Sequence, residues 1–350
     1  MKVLVTGAAG FIGAHLTRRL LRDGHDVVGL DNFNDYYSPQ LKEQRLAWIK
    51  ADVGGFAIYR QDISDPDALL RLFAQERPEA VVHLAAQAGV RYSLVNPTAY
   101  LDSNLKGFLN VLEACRHQPV GHLLFASSSS VYGANGATPY AVADRTDHPL
   151  SLYAASKKAN ELMAHSYSHL YQLPATGLRF FTVYGPWGRP DMSPMLFAKS
   201  IVEGRPIRLF NFGEHQRDFT YIDDIVEALV RLLPAAPQHD PTWNDQAPDP
   251  AGSRAPWRLY NIGGNRPVYL RRYVALLEEC LGRKAELQLL PRQPGDVLHT
   301  FADCGPLETA IGFVPQVTLE EGLRLFVDWF RAYHRLSANP SVANLAQGDR

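Results

Sequence analysis

A chain of 350 residues that is 46% hydrophobic and 20% charged can bury a sizeable core, as two domains or one elaborated domain. Its formal net charge of −1 offers no basic field to nucleic acid or to an anionic membrane. No stretch approaches the ~18 apolar residues of a membrane span, and MKVLVTGAAG lacks the charged and apolar regions of a leader, so the cytoplasm is the expected compartment.

Lys2 to Thr6 reads as a short buried strand stopped by Gly7. From Phe11 to Arg22, apolar residues recur at helical spacing until Gly24 ends the run. Asp26–Leu30 is a second strand, ending at Asp31; Ala80–Leu84, His122–Ala126 and Ala175–Phe181 follow, with helical patterns between them. Strands alternating with helices predict an α/β fold: a Rossmann-type doubly wound parallel sheet with a smaller C-terminal substrate-binding α/β part. After Tyr184, GPWGRPDM is rich in turn formers. Residues 234–256 carry six prolines and read as an exposed excursion. Val268–Leu281 and Thr318–Tyr333 are amphipathic helices by pattern, and 336–350 is a tail. Residues 1–182 are the expected dinucleotide domain, with 214–233 and 258–264 returning to it; 183–213 and 265–335 form the substrate part. Cys115, Cys280 and Cys304 form no CxxC pair, so they read as structural thiols, with no metal site or disulfide framework.

Gly7, Gly10 and Gly13 are spaced GxxGxxG between a strand and a helix. Gly7 allows the tight turn, Gly10 the approach of a pyrophosphate, and Gly13 close helix–strand packing; the helix N-terminus then offers free N–H groups to phosphate. Asp31, 18 residues beyond Gly13 at the end of the second strand, is placed to accept the adenosine ribose hydroxyls. A carboxylate there repels a 2′-phosphate and no arginine adjoins it, so NAD is expected rather than NADP. Gln61-Asp62-Ile63 reads equally as an adenine contact or as a plain strand-end loop.

Tyr153 and Lys157 form a YxxxK pair that shares one helix face. A free tyrosine ionises near ~10; a lysine and a positive nicotinamide ring both favour phenolate and would lower that value toward a general base. Upstream, the apolar strand ending at Ala126 runs into Ser127, Ser128, Ser129 and Ser130, whose hydroxyls face the ligand crevice if the strand is parallel.

TGAAGFIG, HLAAQAGVR, SSSSVYG, YxxxK, FFTVYGP and RDFTYIDD, in this order, resemble the extended short-chain dehydrogenase/reductase family over about residues 1–335. DNFNDYY and GPWGRPDM look most like its branch of 4-epimerases acting on UDP-glucuronate. The resemblance implies Ser128, Tyr153 and Lys157 as catalytic residues, Asn104 holding the helix that positions the lysine, and Phe180 beside the nicotinamide. It adds Phe11, Ile12, Asn32, Asp62, Ile63, Ala85, Ala86, Gln87 and Ser127 to the NAD site. The 4,6-dehydratases of the family carry an Asp-Glu pair where this chain has Ser129 and Ser130, which argues against dehydration. The implied reaction is redox without net redox: Tyr153 takes the 4-OH proton while C4 passes hydride to tightly bound NAD, and both return on the opposite face.

The same resemblance implies a UDP-sugar partner. Arg217 suits the diphosphate, Asp296 the uridine ribose, and Pro206–Phe210, with Phe210, the nucleotide; Arg91 joins the substrate set. Arg189 and Thr182, with Ser129 and Ser130, would hold a C6 carboxylate and keep a β-keto acid from losing CO2. UDP-glucuronate is the expected substrate and UDP-glucose the alternative. A homodimer through helices near Leu101–Arg116 and Tyr153–Leu173 is implied as well.

Overall fold

The alternation read from the sequence folds as one large sheet and two smaller ones, seen in a computed structural model that describes residues 1–292 and 299–336. The strands are β1 (Lys2–Thr6), β2 (Asp26–Asp31), β3 (Ala57–Arg60), β4 (Ala80–His83), β5 (His122–Ala126), β6 (Ala175–Phe180) and β7 (Thr182–Tyr184). They continue as β8 (Ile207–Leu209), β9 (Gln216–Tyr221), β10 (Trp257–Ile262), β11 (Pro267–Tyr269), β12 (Leu287–Leu289) and β13 (His299–Thr300). The helices are α1 (Phe11–Arg22), α2 (Pro39–Val53), α3 (Pro66–Glu76), α4 (Thr98–Tyr100), α5 (Phe108–His117) and α6 (Leu152–Tyr171). After these come α7 (Ser193–Glu203), α8 (Ile222–Leu232), α9 (Leu270–Leu281), α10 (Gly305–Ile311) and α11 (Leu319–Tyr333).

Seven strands form the large sheet in the order β3-β2-β1-β4-β5-β6-β10, all parallel. Side chains alternate across it: Val3 and Val5 enter one core with Leu16 of α1 and Leu229 of α8. Leu4 enters the other core, with Leu72 of α3, Val111 of α5 and Ala164 of α6. Burial on both faces explains why these strands read as continuous apolar runs. The strand order reverses between β1 and β4, so the carboxyl ends of those strands splay apart and open a crevice.

The smaller part is built around β9, which pairs parallel with β7 and β13 and antiparallel with β11; β8 and β12 form a separate parallel pair. Its core continues the first, through Tyr273, Phe326 and Phe330. Three boundaries differ from the sequence reading. The strand expected over Ala175–Phe181 breaks after Phe180, because Phe181 N–H still bonds the Ile262 carbonyl (3.1 Å) while Thr182 pairs with Phe219 in the second sheet. Within 214–233, β9 belongs to the small sheet, whereas α8 packs on α1; β10 edges the large sheet. Val268 pairs with Arg217, so α9 starts only at Leu270. The proline-rich excursion is pinned at its end, where Leu259 N–H bonds Ala251 O (2.9 Å) and His165 meets Ser253 Oγ (2.8 Å). No helix among the described residues is long and apolar enough to cross a membrane.

Candidate active site

The carboxyl ends of six neighbouring strands converge on one cleft of about 590 Å³. Gly7 follows β1, Asp31 ends β2, Gln61 follows β3, Ala85–Gln87 follow β4, Ser127–Ser130 follow β5, and Thr182 follows β6. The glycine turn, Arg189 and Arg217 all line this cleft.

The glycine turn fits a dinucleotide by the space it leaves. Gly7 has φ +72° and bonds Leu30 O (2.7 Å) through its N–H. A Cβ on it would stand 2.8 Å from Ala85 N, and a Cβ on Gly13 would fall onto the Gly7 carbonyl. Gly10 caps α1 without a side chain, and the first turn carries no acidic residue, so its N–H groups face the cleft uncompensated. Gln61 Oε1 is buried with no partner among the described residues, an acceptor suited to the adenine end. Asp31 accepts from Ala9 N–H (3.2 Å) and Phe33 N–H (2.8 Å). It also pairs with Lys42 (3.3 Å), a cation 11 positions on that the sequence reading did not single out. The ammonium is shared with Asn34 Oδ1 (3.2 Å). Asp62 stays off the cleft wall. It receives Asn32 Nδ2 (2.7 Å) and Ser64 N–H (2.8 Å); burial alone would raise its pKa, but these bonds carry it below the usual carboxylate value.

Tyr153 sits in the first turn of α6, where Ser151 Oγ caps the helix by accepting Ala154 N–H (3.1 Å). One turn later Lys157 is buried, and its Nζ donates to Ala126 O (2.8 Å). Burial pulls the lysine down to about 8. The expected lowering of the phenol by this lysine is not found. Burial pushes Tyr153 above its ordinary value, and the groups opposing it are the Ser128 hydrogen bond and the charge of Arg189. Ser128 Oγ also accepts Ser130 N–H (3.2 Å), which fixes the short turn over Ser129–Tyr132. Asn104 lies in a wide π-turn, Leu101–Gly107, between α4 and α5. Its side chain accepts Gln87 N–H (2.8 Å) and donates to Gln87 O (3.1 Å) and Ser156 Oγ (3.0 Å), while its own carbonyl takes Asn160 Nδ2 (2.6 Å). It is thus a tie behind the cleft between the β4 exit and both flanks of Lys157. A π-turn frees such a carbonyl from the helix ladder.

Ser127 Oγ donates to Glu161 Oε1 (2.7 Å), and Glu161 is paired with Arg179 (2.8 Å), both 1% exposed. Phe180, Thr182, Arg189 and Arg217 line the cleft with Ser128, Ser129 and Ser130. Arg189 donates Nε and Nη2 to Asp191 (3.1 and 2.6 Å), and Tyr36 donates its hydroxyl to the same carboxylate (3.0 Å). Arg45, fully buried, donates to Ala9 O (3.0 Å), Tyr37 Oη (2.8 Å), Trp187 O (2.7 Å) and Gly188 O (3.3 Å), joining the glycine turn to the GPWGRPDM loop. Besides Asp62 and Asn104, two expected residues are not part of the cleft lining. Arg91 is exposed on the turn Arg91–Leu94, and Phe210 opens the short turn that follows β8. Asp296 lies outside the described residues. Lys42, Asp191, Tyr36, Arg45 and the Glu161–Arg179 pair were missed. Tyr36 and Asp191 stand inside DNFNDYY and GPWGRPDM, where a phenol and a carboxylate beside a singled-out arginine were the available signal.

Comparison with known proteins agrees with this geometry. A probable UDP-glucuronate 4-epimerase of Rhizobium meliloti is 49% identical over 336 residues, covering 96% of this chain and 98% of that protein. The structure of a UDP-glucuronic acid 4-epimerase from Bacillus cereus, solved with UDP-glucuronic acid and NAD, superposes with a TM-score of 0.81 at 33% identity, covering 95% of this chain and all of that one. A UDP-glucose 4-epimerase from Thermotoga maritima, solved with UDP-glucose, gives a TM-score of 0.81 at 30% identity with the same coverage. Residues 3–244 match the NAD dependent epimerase/dehydratase family, and the chain belongs to that family.

Proposed function

We propose that the protein interconverts UDP-glucuronate and UDP-galacturonate by redox-neutral inversion at C4 with a retained NAD. The observation that carries this is the common wall of one cleft: Ser128, Tyr153 and Lys157 with Arg189, Thr182, Ser129 and Ser130. A cation at the sugar end is needed by a uronate and not by a neutral hexose. In this reading 1–182 holds the cofactor, while 183–213 and 265–335 close over the UDP-sugar.

NAD supplies the hydride acceptor and a positive charge when bound. Tyr153 removes the 4-OH proton and returns it after the 4-keto sugar has turned. Ser128 hydrogen-bonds the phenol, and Lys157, still protonated at neutral pH, fixes the exit of β5 through Ala126 O. Arg189 opposes the burial that raises the phenol and so favours the base form. Its guanidinium, with Ser129, Ser130 and Thr182, holds the C6 carboxylate away from the alignment in which a β-keto acid loses CO2. Arg217, lining the cleft beside Thr300, takes the diphosphate.

UDP-glucose is the second reading, because Asp191 already neutralises Arg189. Incubation with each nucleotide, followed by NMR, separates the two: UDP-galacturonate is the expected product, and exclusive formation of UDP-galactose would overturn the first reading. Tyr153→Phe should keep its NAD and lose about 10²–10⁴-fold in turnover, the usual scale for a general base; near-normal turnover would exclude Tyr153 from that role. A homodimer is supported by exposed Leu109 on α5 and exposed Leu162, Leu170 and Tyr171 on α6, apolar residues that a second copy would cover. Three free thiols suit a reducing cytoplasm, where UDP-uronates serve as donors for polysaccharide synthesis.

A further inference from the structure

Arg189 is held from behind. Asp191 grips Nε and Nη2 at 3.1 and 2.6 Å, so Nη1 is the guanidinium nitrogen that this carboxylate does not hold. Tyr36, from the segment between β2 and α2, braces that carboxylate at 3.0 Å. The Tyr36 hydroxyl fills the space a Cβ on Gly89 would need, and Gly89 has φ +95°, so the brace depends on glycine there. The Tyr36 ring packs on Tyr92 (4.8 Å between centroids), Tyr92 on Tyr100 (6.4 Å), and Tyr100 edge-on to Tyr153 (6.1 Å). One aromatic row therefore runs from the carboxylate to the phenol.

Resting on the uronate reading above, we infer that Asp191, braced by Tyr36, is a positioning residue that sets both the aim and the charge of Arg189. It presents the Nη1 edge to the substrate carboxylate, and it offsets the positive charge that Arg189 projects onto Tyr153. A guanidinium bound on two nitrogens has one orientation; unbound, it samples several. A carboxylate seated by a single fixed edge stays where the 4-keto step cannot expel CO2.

The charge around Tyr153 is simple. Ser128 bonds it from the turn after β5, Tyr100 faces it from α4, Lys157 stands one turn on in α6, and Arg189 reaches it from the loop after β7. Tyr36 is pushed up to about 12 by burial and by Asp191, and burial raises Tyr100 as well, so both stay neutral across the working range. Arg189 is then the charge that opposes burial at the phenol, and Asp191, paired with Arg189 at 2.6 Å, is the neighbour that offsets it.

The test uses the holoenzyme with UDP-glucuronate, comparing wild type with Asp191→Asn, Asp191→Glu and Tyr36→Phe. Asparagine keeps the size and removes the charge, so the acid limb of the kcat–pH profile should move down by about one unit, the low end of the effect of a nearby unscreened cation. The share of UDP-pentose should rise several-fold, affinity for UDP alone should stay the same, and glutamate should restore both the limb and the product ratio. Tyr36→Phe should shift both in the same direction by less, and it decides the matter if the asparagine variant does not fold. A wild type that epimerises only UDP-glucose sinks the substrate reading. A wild type that handles UDP-glucuronate, with variants matching its pH limb and product ratio while losing only stability or kcat, sinks this inference alone.

Discussion

Replacing Arg179 by methionine tests how the exit of β5 is held. Glu161 accepts Arg179 Nε at 2.8 Å and Nη2 at 3.0 Å, and Ser127 Oγ at 2.7 Å. Lys158, 26% exposed, adds a weaker contact at 3.2 Å. Removing one partner of a buried pair strands the other charge at a cost of about 3–5 kcal/mol. With an unfolding entropy of about 2.1 cal/mol/K per residue, a 350-residue chain has roughly 0.74 kcal/mol/K, so Tm should fall by about 4–7 °C. The sign with pH is specific. Burial raises the Glu161 pKa, but the Arg179 hydrogen bonds and charge outweigh it and leave it below the usual value. In the wild type this stabilisation is therefore present above the unfolded pKa of about 4.3 and is lost as pH falls through the folded value. In Arg179→Met the burial is largely unopposed, the folded pKa lies above the unfolded one, and the penalty grows as pH rises. Calorimetry with saturating NAD at pH 4.5 and 7.5 should find the variant below wild type at both, with the larger gap at the higher pH. A gap under about 1 °C at pH 7.5, equivalent to about 0.7 kcal/mol, or one independent of pH, would refute the reasoning. Arg179→Met with Glu161→Leu should recover most of the loss, since an apolar pair leaves no charge stranded.

Gly13→Ala would put a Cβ 2.8 Å from Gly7 C and 3.1 Å from Ala8 Cα, both backbone, so α1 must lift off the turn. About 1–3 kcal/mol of stability should go with it, and the purified protein should release far less NAD on denaturation than wild type. Full NAD content would mean the turn has room the geometry denies. Arg189→Ala should weaken UDP-glucuronate by about 1.5–3 kcal/mol and leave UDP unchanged by calorimetry, with turnover leaking to UDP-pentose. Equal losses for both ligands would mean that Arg189 reads the diphosphate instead.

What the sequence made legible follows from what is local. The glycine turn, the strand runs, the Tyr153–Lys157 face and the serine exit are each contained in fewer than about a dozen residues, where spacing and burial period suffice. What it hid is pairing between distant segments. Asp31 with Lys42 needs α2 folded back on β2, Arg179 with Glu161 joins β6 to α6, and Tyr36 with Asp191 spans 155 positions. The phenol was misjudged for a related reason: spacing put Lys157 on the right face, but only the fold shows its ammonium spent on Ala126 O and its surroundings dry. A basic residue after a cleft-lining run can also turn outward, as exposed Arg91 does here, and spacing alone does not show which way it faces.

Arg45 bears on how far the pieces of this molecule can be exchanged. A guanidinium with no exposed surface, and no carboxylate partner among the described residues, spends its donors on carbonyls of Ala9, Trp187 and Gly188 and on the Tyr37 hydroxyl. The loop that aims Arg189 is therefore not a detachable module. Its backbone is stitched to the glycine turn by a side chain from α2, and Trp187 takes φ +60° at the stitch. A chimaera that swaps residues 185–192 to change sugar preference would inherit a loop whose shape is written partly at position 45. Lysine there cannot replace it, having three donors and no planar fork to span two strands of chain. Transplanted selectivity would have to carry Tyr37, Arg45 and the loop together, or the sugar end would lose its registration with the cofactor end.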